Sequence, residues 1–454
     1  MANSYRNDLT EGNIFLQLIS FFGPMFFANL LQMVYNIVDM AIVGHFVGSN
    51  GLAAVSVSTS AISVLTFTAM GISAGGQVIV SQYTGAGRHD KTQKLIGTFF
   101  SATLVLSAIL TLISVVFRGP ILHFANVPES AWKDGVVYFV TCSCGSVFTY
   151  EYNAVSAIFR GMGDSRRPLV FVLIATILNV VLDILLVAVI PLGTLGAALA
   201  TVISQAVCFT VSVIFMYRHK DVYGFDFRLK SFRIYRDSLL PLIKLGCPLA
   251  LQGCLINIVI LIVNRWINEY GVIVTAITGI GNRLCSISQT FSTAIATSAS
   301  SVVGQSVGAK KYDRVMKTVW ASGALAFGIA SCIALLMVIF PRAVYSIFTS
   351  DPEVLDMVKV YNPVAILLVY GSAFRAPANG LITGTGNSSM NFVLAIIDGL
   401  FGHLLIPVIL GFVLHLGLMG LWYGYGIAGF TPFFVGIVYM VSGKWKTGRN
   451  WLER

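Results

Sequence analysis

Four acidic side chains lie inside long apolar stretches, where a charged group is costly. Nearly all of the nineteen Asp and Glu residues fall in predicted loops, in tails or at the ends of predicted spans, and the four well inside apolar stretches are Asp39, Glu151, Asp183 and Asp398. An ionised carboxylate in the middle of a membrane-spanning helix costs about 2.5 to 3.5 kcal/mol on insertion scales. Their presence indicates either an interhelical hydrogen bond or ion pair, or the binding of a proton or cation.

Three predicted helices carry oxygen-bearing side chains at helical spacing. These are Gln32, Asn36 and Asp39 in the first helix, Asn179 and Asp183 in the fifth, and Thr201, Ser204 and Gln205 in the sixth. Side chains three or four residues apart share one face of a helix. Such oxygens suit a hard cation such as Na⁺, and two neighbouring carboxylates also suit a proton, because like charges oppose full ionisation. We therefore expect ion coupling at Asp39 and Asp183, with a structural polar contact as the alternative.

Other charges in the apolar stretches predict different contacts. Asp398 stands alone in the second half, where Arg283 and Arg375 are predicted buried bases, so we expect an ion pair within that half. Glu151 could line the cavity, help to recognise a cationic substrate or lie in a hydrated pocket near the cytoplasm. The further candidates for substrate contact or a second ion site are Gln32, Asn36, Glu151, Arg283 and Asp398.

Composition requires these residues to sit in membrane helices. The 454-residue chain is 56% hydrophobic and 11% charged, with a mean hydropathy of +0.82, which predicts an all-α polytopic membrane protein. The predicted spans are 14–44, 52–82, 95–117, 132–158, 168–190, 194–217, 238–268, 273–306, 316–340, 354–382, 391–412 and 416–442. Each is about 20 residues or longer, enough to cross the bilayer. The first is too long for a signal-peptide core, so no cleaved targeting segment is expected.

The basic residues predict the orientation of the chain. The odd-numbered loops hold only Arg118, Lys133, Arg342 and Lys359, whereas most Lys and Arg residues lie in the even-numbered loops and in the tails, which include Arg6, Lys444, Lys446, Arg449 and Arg454. Because cytoplasmic loops are enriched in Lys and Arg, we expect both termini on the cytoplasmic side of the plasma membrane. The formal charge of +10 follows from this bias and predicts anionic lipid headgroups, not nucleic acid, as neighbours.

Two pairs of similar segments show that the second half of the chain repeats the first. VSQYTGAGRHD at 80–90 returns as VGQSVGAKKYD at 303–313, and FRGMGDS at 159–165 returns as ITGTGNS at 382–388, both with an offset of 223 residues. Each half holds six spans and so crosses the membrane an even number of times. Both halves therefore begin on the same side, as a parallel repeat about an axis along the membrane normal.

The repeat predicts two lobes. We expect an N-lobe of six helices at 1–217, a charged cytoplasmic linker at 218–237, and a C-lobe of six helices with the cytoplasmic tail at 238–454. Two similar bundles that rock around a central site are the architecture of alternating-access carriers.

Motifs for nucleotide hydrolysis and metalloproteolysis do not occur in the sequence. There is no G-x-x-x-x-G-K-[ST] phosphate loop and no H-E-x-x-H. GMGD at 161–164 resembles a signature of intramembrane aspartyl proteases, but its repeat copy GTGN has no acid, so a helix-capping turn explains it better. We expect no enzyme activity and no cofactor. Uphill transport would then use an ion gradient, which supplies about 2.3 kcal/mol per charge at 100 mV.

Short motifs stand at characteristic places along the two halves of the chain. They are VDMAIVGHFVG in the first helix, SQYTGAG and GQSVGAKKYDR at the ends of the second and eighth, the IFRGMGDSRRP turn, NVVLD in the fifth and LGAALAT in the sixth. Together they resemble the MATE (multidrug and toxic compound extrusion) family of cation-coupled antiporters over essentially the whole chain. The resemblance implies twelve helices in two six-helix lobes, and efflux of cationic or lipophilic drugs in exchange for Na⁺ or H⁺.

The resemblance also implies roles for individual residues. The family's N-lobe cation site, a possible Na⁺ site, matches Asp39, Asn179, Asp183 and Thr201. Pro24 matches the proline of the first helix and marks a hinge, because proline removes a backbone hydrogen bond. In proton-coupled members, protonation of the first-helix Asp is proposed to bend that helix.

The second half departs from one branch of the family. The NorM branch carries acids in helices seven and ten, where this chain has about Leu255 and Ser372. The N-lobe site is therefore the better candidate for ion coupling.

Two other classes of function are weighed against drug efflux. A flippase for a lipid-linked saccharide would carry more basic residues in its cavity and often extra helices. A receptor or scaffold that transports nothing would have no use for acids confined to one half. The expected partners are small-molecule drugs or lipophilic cations and membrane lipids, with no nucleic acid, and we expect a monomer.

Overall fold

A computed structural model of the chain describes residues 8–446, and it consists of helices joined by short connections. No strand occurs within these residues. Three basic residues of the predicted cytoplasmic tails, Arg6, Arg449 and Arg454, lie outside the described residues.

Twelve long helices match the twelve predicted spans. They are α1 Ile14–Phe46, α2 Ser49–Gly85, α3 His89–Val116, α4 Trp132–Gly161, α5 Arg166–Val189, α6 Thr194–Arg218, α7 Arg236–Asn268, α8 Val272–Gly308, α9 Tyr312–Ile339, α10 Val358–Gly384, α11 Ser388–Val413 and α12 Gly417–Val441. Ten of the twelve are long and apolar enough to cross a bilayer. The other two, α4 and α8, are less apolar because Ser, Thr and Gly recur along them. The prediction of an all-α polytopic fold is confirmed.

Some of these helices are irregular, and shorter helices join them. α5 is π-helical over Ile184–Val189, α11 is π-helical over Ile397–Leu405 and Ile409–Val413, and α12 consists of Gly417–Ala428 and Thr431–Val441. The connecting helices are Arg118–Phe124, Glu129–Ala131, Lys220–Tyr223, Leu229–Phe232, Pro341–Ser346 and Pro352–Asp356.

The helix lengths repeat with the sequence. α1 and α7 each have 33 residues, α2 and α8 each have 37, and α3 and α9 each have 28. The turns repeat as well, because Gly163 and Gly386 both adopt positive φ, at 88° and 71°. In each copy the next side chain caps the following helix, where Asp164 accepts from the Arg166 N–H at 3.1 Å and Asn387 accepts from the Met390 N–H at 3.0 Å. The GMGD segment is thus a capping turn, as predicted.

Two compact units make up the fold. Within the described residues, unit 1 comprises Asp8 and Gly23–Ala250, and unit 2 comprises Leu9–Phe22 and residues 251–446. The division falls inside helices α1 and α7, next to the repeat-related prolines Pro24 and Pro248.

Unit 1 is built around α4, which packs against α2, α3 and α6. Glycines allow close approach, and a Cβ on Gly161 would lie 2.7 Å from Val80. The first part of α7 joins this unit through a second small-residue contact. A Cβ on Gly71 would lie 2.2 Å from the backbone of Ala250, and one on Gly75 would lie 2.7 Å from that of Gly246. Small residues four apart on both helices let the two backbones meet.

Unit 2 repeats this packing around α10, which contacts α8, α9 and α12. A Cβ on Gly384 would lie 2.7 Å from Val303, the same separation as at the equivalent glycine of unit 1. The N-terminal segment belongs here because the Leu9 N–H donates to Gln305 at 2.9 Å, and the Phe22 and Phe291 rings stack with centroids 6.1 Å apart.

The charged segment between α6 and α7 is folded onto α3 in unit 1. The Ser101 hydroxyl donates to the Phe232 carbonyl, and the Tyr235 N–H donates to the Thr98 hydroxyl at 3.1 Å. Within the segment, the Ser231 hydroxyl donates to Asp226 at 2.5 Å, and this hydrogen bond lowers the pKa of that exposed carboxyl. The segment is therefore an ordered part of the unit.

Candidate functional site

Asp39 and Asp183 meet in the interior of unit 1. Asp39 comes from the regular helix α1 and is 6% exposed, while Asp183 comes from α5 and is 0% exposed. Their carboxyl groups are within hydrogen-bonding reach of each other. Asp183 is the last residue before the π-helical turn of α5, and π-helical turns inside α-helices are frequent at functional sites.

The carboxyl pair has no basic partner. Within residues 8–446, no Lys, Arg or His lies within ion-pair distance of Asp39 or Asp183. No other group in that range forms a hydrogen bond with Asp39 Oδ1 or with either oxygen of Asp183. Two buried like charges repel strongly, so the pair requires a proton shared between the carboxyls or a bound cation.

More unpaired polar atoms lie on the same face of α5. Asn179, one turn before Asp183 and 2% exposed, finds no hydrogen-bond partner among residues 8–446 for its amide nitrogen or oxygen, and neither does the Thr176 hydroxyl. Thr176, Asn179 and Asp183 are spaced three and four residues apart, so they form one stripe. Buried polar atoms normally form hydrogen bonds, so this stripe is a candidate site for a bound ligand.

A small cavity opens beside this stripe. It is lined by Gln32, Tyr35, Tyr152, Val172, Ala175, Thr176, Asn179, Ser204, Gln205 and Cys208. Its interior has room for about one water molecule, so it suits an ion or a water better than a drug. On α4, Tyr138 and Cys142 lie close enough to Asp39 to interact with it electrostatically.

The predicted polar faces reach this cavity in part. Gln32 of α1 lines it, whereas Asn36, which is exposed, is not among the lining residues. Ser204 and Gln205 of α6 line it as well. Thr201 is partly exposed and is not among the lining residues, although its carbonyl accepts from the Ser204 hydroxyl at 2.9 Å.

Thr176, Tyr35 and Tyr152 line the cavity but were not among the residues predicted from the sequence. Thr176 continues the Asn179–Asp183 spacing by one more step, and Tyr35 lies four residues before Asp39, so the helical period signals both. Tyr152 carries no such signal. Its hydroxyl donates to the Pro168 carbonyl at 3.1 Å, which fixes the ring beside the cavity.

Glu151 points away from the cavity. It is 5% exposed and accepts a hydrogen bond from the Thr103 hydroxyl of α3 at 2.8 Å. The structure therefore places it between α3 and α4 and apart from the Asp39–Asp183 pair.

Asp398 in unit 2 has the opposite environment. Arg375 donates to Asp398 Oδ1 at 2.9 Å, Gln252 donates to Oδ2 at 2.9 Å, and the Thr431 hydroxyl donates to Oδ1 at 3.2 Å. His403 Nδ1 lies 2.8 Å from the Asp398 carbonyl oxygen. The predicted ion pair within this half is thus present between Arg375 and Asp398.

The other predicted base, Arg283, is not buried. Its side chain is exposed on α8, so the prediction of a second buried base was wrong. Hydropathy along the chain identifies the helix but not the direction in which each residue of that helix points, and this is why the error arose.

The ion pair of unit 2 occupies the position of the cavity in unit 1. At an offset of 223 residues, Arg375 corresponds to Tyr152 and Asp398 corresponds to Ala175, both of which line the cavity. Unit 2 fills this place with a charge pair whose groups satisfy one another. Leu255 and Ser372 stand at the two positions where the NorM branch carries acids, and neither side chain has a carboxylate. Ser372 shares a hydrogen bond with Ser288 at 2.6 Å, and Leu255 packs near Gly399.

Comparisons with known proteins agree with this architecture. The model of the MatE family matches residues 24–185 and 248–408. The probable multidrug resistance protein YoeA of Bacillus subtilis (strain 168) is 26% identical over 430 residues, which cover 92% of each chain. The probable multidrug resistance protein YpnP of the same strain is 27% identical over 455 residues, 98% of this chain and 99% of that protein. A crystal structure of MATE in the straight conformation has a TM-score of 0.89 at 21% identity, covering 98% of this chain and 100% of that one.

Proposed function

Because the chain belongs to the MatE family, a family of membrane transporters and not of enzymes, we propose that it is a secondary active multidrug efflux transporter. It exports lipophilic or cationic compounds in exchange for H⁺ or Na⁺ by alternating access. Two relatives named as probable multidrug resistance proteins, which align along nearly their whole length, support the substrate class.

The buried carboxyl pair without a base carries the proposal. Asp39 and Asp183 come from two different helices, and each leaves carboxylate oxygen without a hydrogen bond from elsewhere in the described chain. A structural contact would be expected to satisfy these atoms, as Arg375 and Gln252 satisfy Asp398. A site that exchanges its occupant must leave them available.

Either coupling ion fits the residues present. A proton shared between Asp39 and Asp183 removes one of the two like charges. Na⁺ would bind the same carboxylates, with the Asn179 amide oxygen and the Thr176 hydroxyl as further oxygen ligands, and Thr201 as the ligand that the family resemblance adds. The cavity beside them is of ionic size, so we place the drug site elsewhere.

Ion occupancy would bias the conformation of α1. Pro24 lies fifteen residues before Asp39, about 22 Å along the helix, and its missing N–H leaves α1 able to bend there. When the ion leaves, two adjacent negative charges favour the separation of α1 from α5. When an ion returns, it favours their contact, so the ion shifts the equilibrium between two forms of the helix.

The remaining features of the proposal concern the setting of the chain. We place it in the plasma membrane with both termini in the cytoplasm, as a monomer in contact with membrane lipids, with an N-lobe at 1–217 and a C-lobe at 238–454. A flippase for lipid-linked saccharides is the less favoured function, because Arg375, a base that could hold a pyrophosphate, is already paired with Asp398.

The test is transport by the purified chain in proteoliposomes. The flux of a fluorescent dye or a fluoroquinolone is measured under an imposed H⁺ or Na⁺ gradient for the parent, for Asp39→Asn and for Glu129→Gln, an exposed acid outside the site. We expect one gradient to drive flux in the parent and in Glu129→Gln, and Asp39→Asn to lose about tenfold or more of it while still binding substrate. The gradient that works identifies the ion.

Equal gradient-driven flux in Asp39→Asn and the parent would refute the role of this site. Absence of flux in the parent under both gradients would refute the ion coupling itself.

A further inference from the structure

A wide cleft lies within unit 2. It is bounded by the N-terminal segment from Thr10 to Phe15, by the turn between α8 and α9, and by the first three turns of α9, with Lys446 at its edge. Its volume is about 900 Å³, near the upper end of the range for small-molecule sites. Space is therefore available for a group much larger than an ion.

The charges around this cleft are mainly basic. Five basic side chains line it, namely Lys310, Lys311, Arg314, Lys317 and Lys446, against one acidic side chain, Asp313. Lys310, Lys317 and Lys446 are exposed, and no carboxylate of residues 8–446 lies within ion-pair distance of any of them. Three lysines around one concave surface attract an anion, and the Lys446 ammonium lies 5.3 Å from the centroid of the Trp445 ring.

The remaining two basic residues hold one wall of the cleft in place. Arg314 donates to the carbonyls of Leu9, Gly12 and Glu11 at 2.8, 2.8 and 2.9 Å. Lys311 donates to the Thr10 carbonyl at 3.1 Å and pairs with Glu11 at 3.2 Å. The wall formed by the N-terminal segment is thus fixed by hydrogen bonds and does not depend on a ligand.

The cleft lies beside the ends of three long helices. α8 ends at Gly308, α9 begins at Tyr312 and α12 ends at Val441. Tyr312 and Trp445 pack edge to face with ring centroids 6.0 Å apart, and Tyr and Trp are enriched at the membrane interface. These positions put the lysines at headgroup depth.

One end of the cleft is apolar. Ile14, Phe15 and Ala321 belong to its lining, and Phe15 is 45% exposed. Trp320, next to Ala321, is 69% exposed on the same part of α9. A surface that changes from lysines to exposed apolar side chains along one helix fits a molecule with an anionic head and a hydrocarbon tail.

In unit 1 the chain itself covers the equivalent position. There, Thr98 of α3 corresponds to Ala321 at an offset of 223 residues, and the segment before α7 covers it, with the Tyr235 N–H donating to its hydroxyl. A Cβ on the neighbouring Gly97 would lie 1.8 Å from the Ser231 carbonyl oxygen. The chain itself fills the groove in one unit and leaves it open in the other.

We propose that this cleft binds an anionic phospholipid of the cytoplasmic leaflet, with its phosphate among Lys310, Lys317 and Lys446 and an acyl chain along Phe15 and Trp320. The assignment to that leaflet rests on the proposed orientation, whereas binding itself does not rest on the transport activity. Residues 447–454 are a less suitable occupant, because they carry Arg449 and Arg454 against one acid, Glu453, and would bring positive charge to a basic surface.

The experiment is lipid binding to the purified full-length chain by native mass spectrometry. Phosphatidylglycerol and phosphatidylcholine with identical acyl chains are compared on the parent and on the triple variant Lys310→Gln, Lys317→Gln, Lys446→Gln. The matched control, Arg88→Gln, Lys91→Gln, Lys94→Gln, removes the same charge from the corresponding region of unit 1.

We expect the parent to prefer phosphatidylglycerol, the unit 2 variant to lose its binding by about tenfold or more, and the control to retain it. The preference should also weaken as salt is raised. Equal loss in both triple variants, or no loss in the unit 2 variant, would overturn the site.

Two further outcomes bear on the identity of the occupant. Displacement of phosphatidylglycerol by inorganic phosphate at a concentration equal to that of the lipid would show a site for free phosphate and overturn the lipid assignment. Binding of phosphatidylglycerol only after removal of residues 447–454 would show that the tail is the occupant. Failure of transport with lipid binding intact would count against the proposed function and leave this site standing.

Discussion

At the scale of residues, the two buried acids Asp183 and Asp398 show that burial alone does not reveal a role. Both are 0% exposed, but Asp398 has three side-chain donors and Asp183 has none outside its carboxyl partner. Removing one partner of a buried ion pair leaves an uncompensated charge and is strongly destabilising, whereas two adjacent like charges oppose folding. The two sites should therefore respond in opposite directions when the charge is removed.

This contrast can be measured as thermal stability. We expect Asp183→Asn to leave the unfolding temperature in detergent unchanged or higher, because it removes a like charge from the pair. Asp398→Asn should lower the free energy of unfolding by about 3 kcal/mol, because it leaves Arg375 without its anion. The control is the double variant Asp398→Asn, Arg375→Gln, which also removes the unpaired base and should recover part of that loss. Similar losses for Asp183→Asn and Asp398→Asn would contradict the reading of Asp183 as an exchangeable site.

Sequence predicted the acids better than it predicted their surroundings. The spacing of Asn179 and Asp183 gave one stripe, because the helical period fixes which residues share a face. The meeting of Asp39 with Asp183 is a contact between different helices, which the helical period does not give. Their assignment to one site came from the suitability of carboxylates for a cation or proton and from the family resemblance. Arg283 was placed wrongly because apolar character along a helix does not show which side faces a neighbour.

At the scale of elements, the repeat is visible in irregular features as well as in lengths. α5 becomes π-helical at Ile184–Val189, and α11 becomes π-helical at Ile409–Val413, close to the same position in the repeat. α11 has a second π-helical stretch around Asp398 that α5 lacks. A π-helical turn has no simple residue signature, so neither stretch is predictable from the sequence, although the apolar runs predict both helices.

Close glycine contacts allow a sharp test of helix packing. A Cβ on Gly281 of α8 would lie 2.0 Å from the ring of Tyr361, which is 1% exposed, whereas a Cβ on Gly279 would meet nothing within 4 Å. We expect Gly281→Ala to destabilise the protein by about 1 to 3 kcal/mol through overpacking. Gly279→Ala, two residues away on the same helix, should be neutral or slightly stabilising, since Ala favours the helix over Gly.

The measurement is the unfolding temperature of both variants in the same detergent. Equal stability of the two variants would mean that Tyr361 can move aside, and the packing of α8 against α10 would then be looser than the structure indicates.

At the scale of the whole molecule, charge bias along the chain carries the proposed orientation. Lys230 lies in the segment before α7, and Glu353 lies in the short helix before α10; both are exposed, and the proposed topology puts them on opposite faces of the membrane. Their accessibility from one side of an intact cell is therefore a direct measure of topology.

We expect a membrane-impermeant maleimide to label Glu353→Cys in intact cells and to label Lys230→Cys only after the membrane is opened. The background should have the exposed Cys144, Cys247 and Cys332 replaced by serine. Labelling of Lys230→Cys in intact cells would reverse the orientation, and with it the leaflet assigned to the phospholipid site.

The placement of the two compact units has a consequence for how the chain can be divided. Leu9–Phe22 belongs to unit 2 although it precedes unit 1 in sequence, and residues 236–250 belong to unit 1 although they follow the charged segment. The opening segment of each half of the repeat therefore belongs to the compact unit that the other half mainly forms. A chain cut between α6 and α7 would give two fragments, neither of which holds a complete unit, so they should fold stably only when produced together.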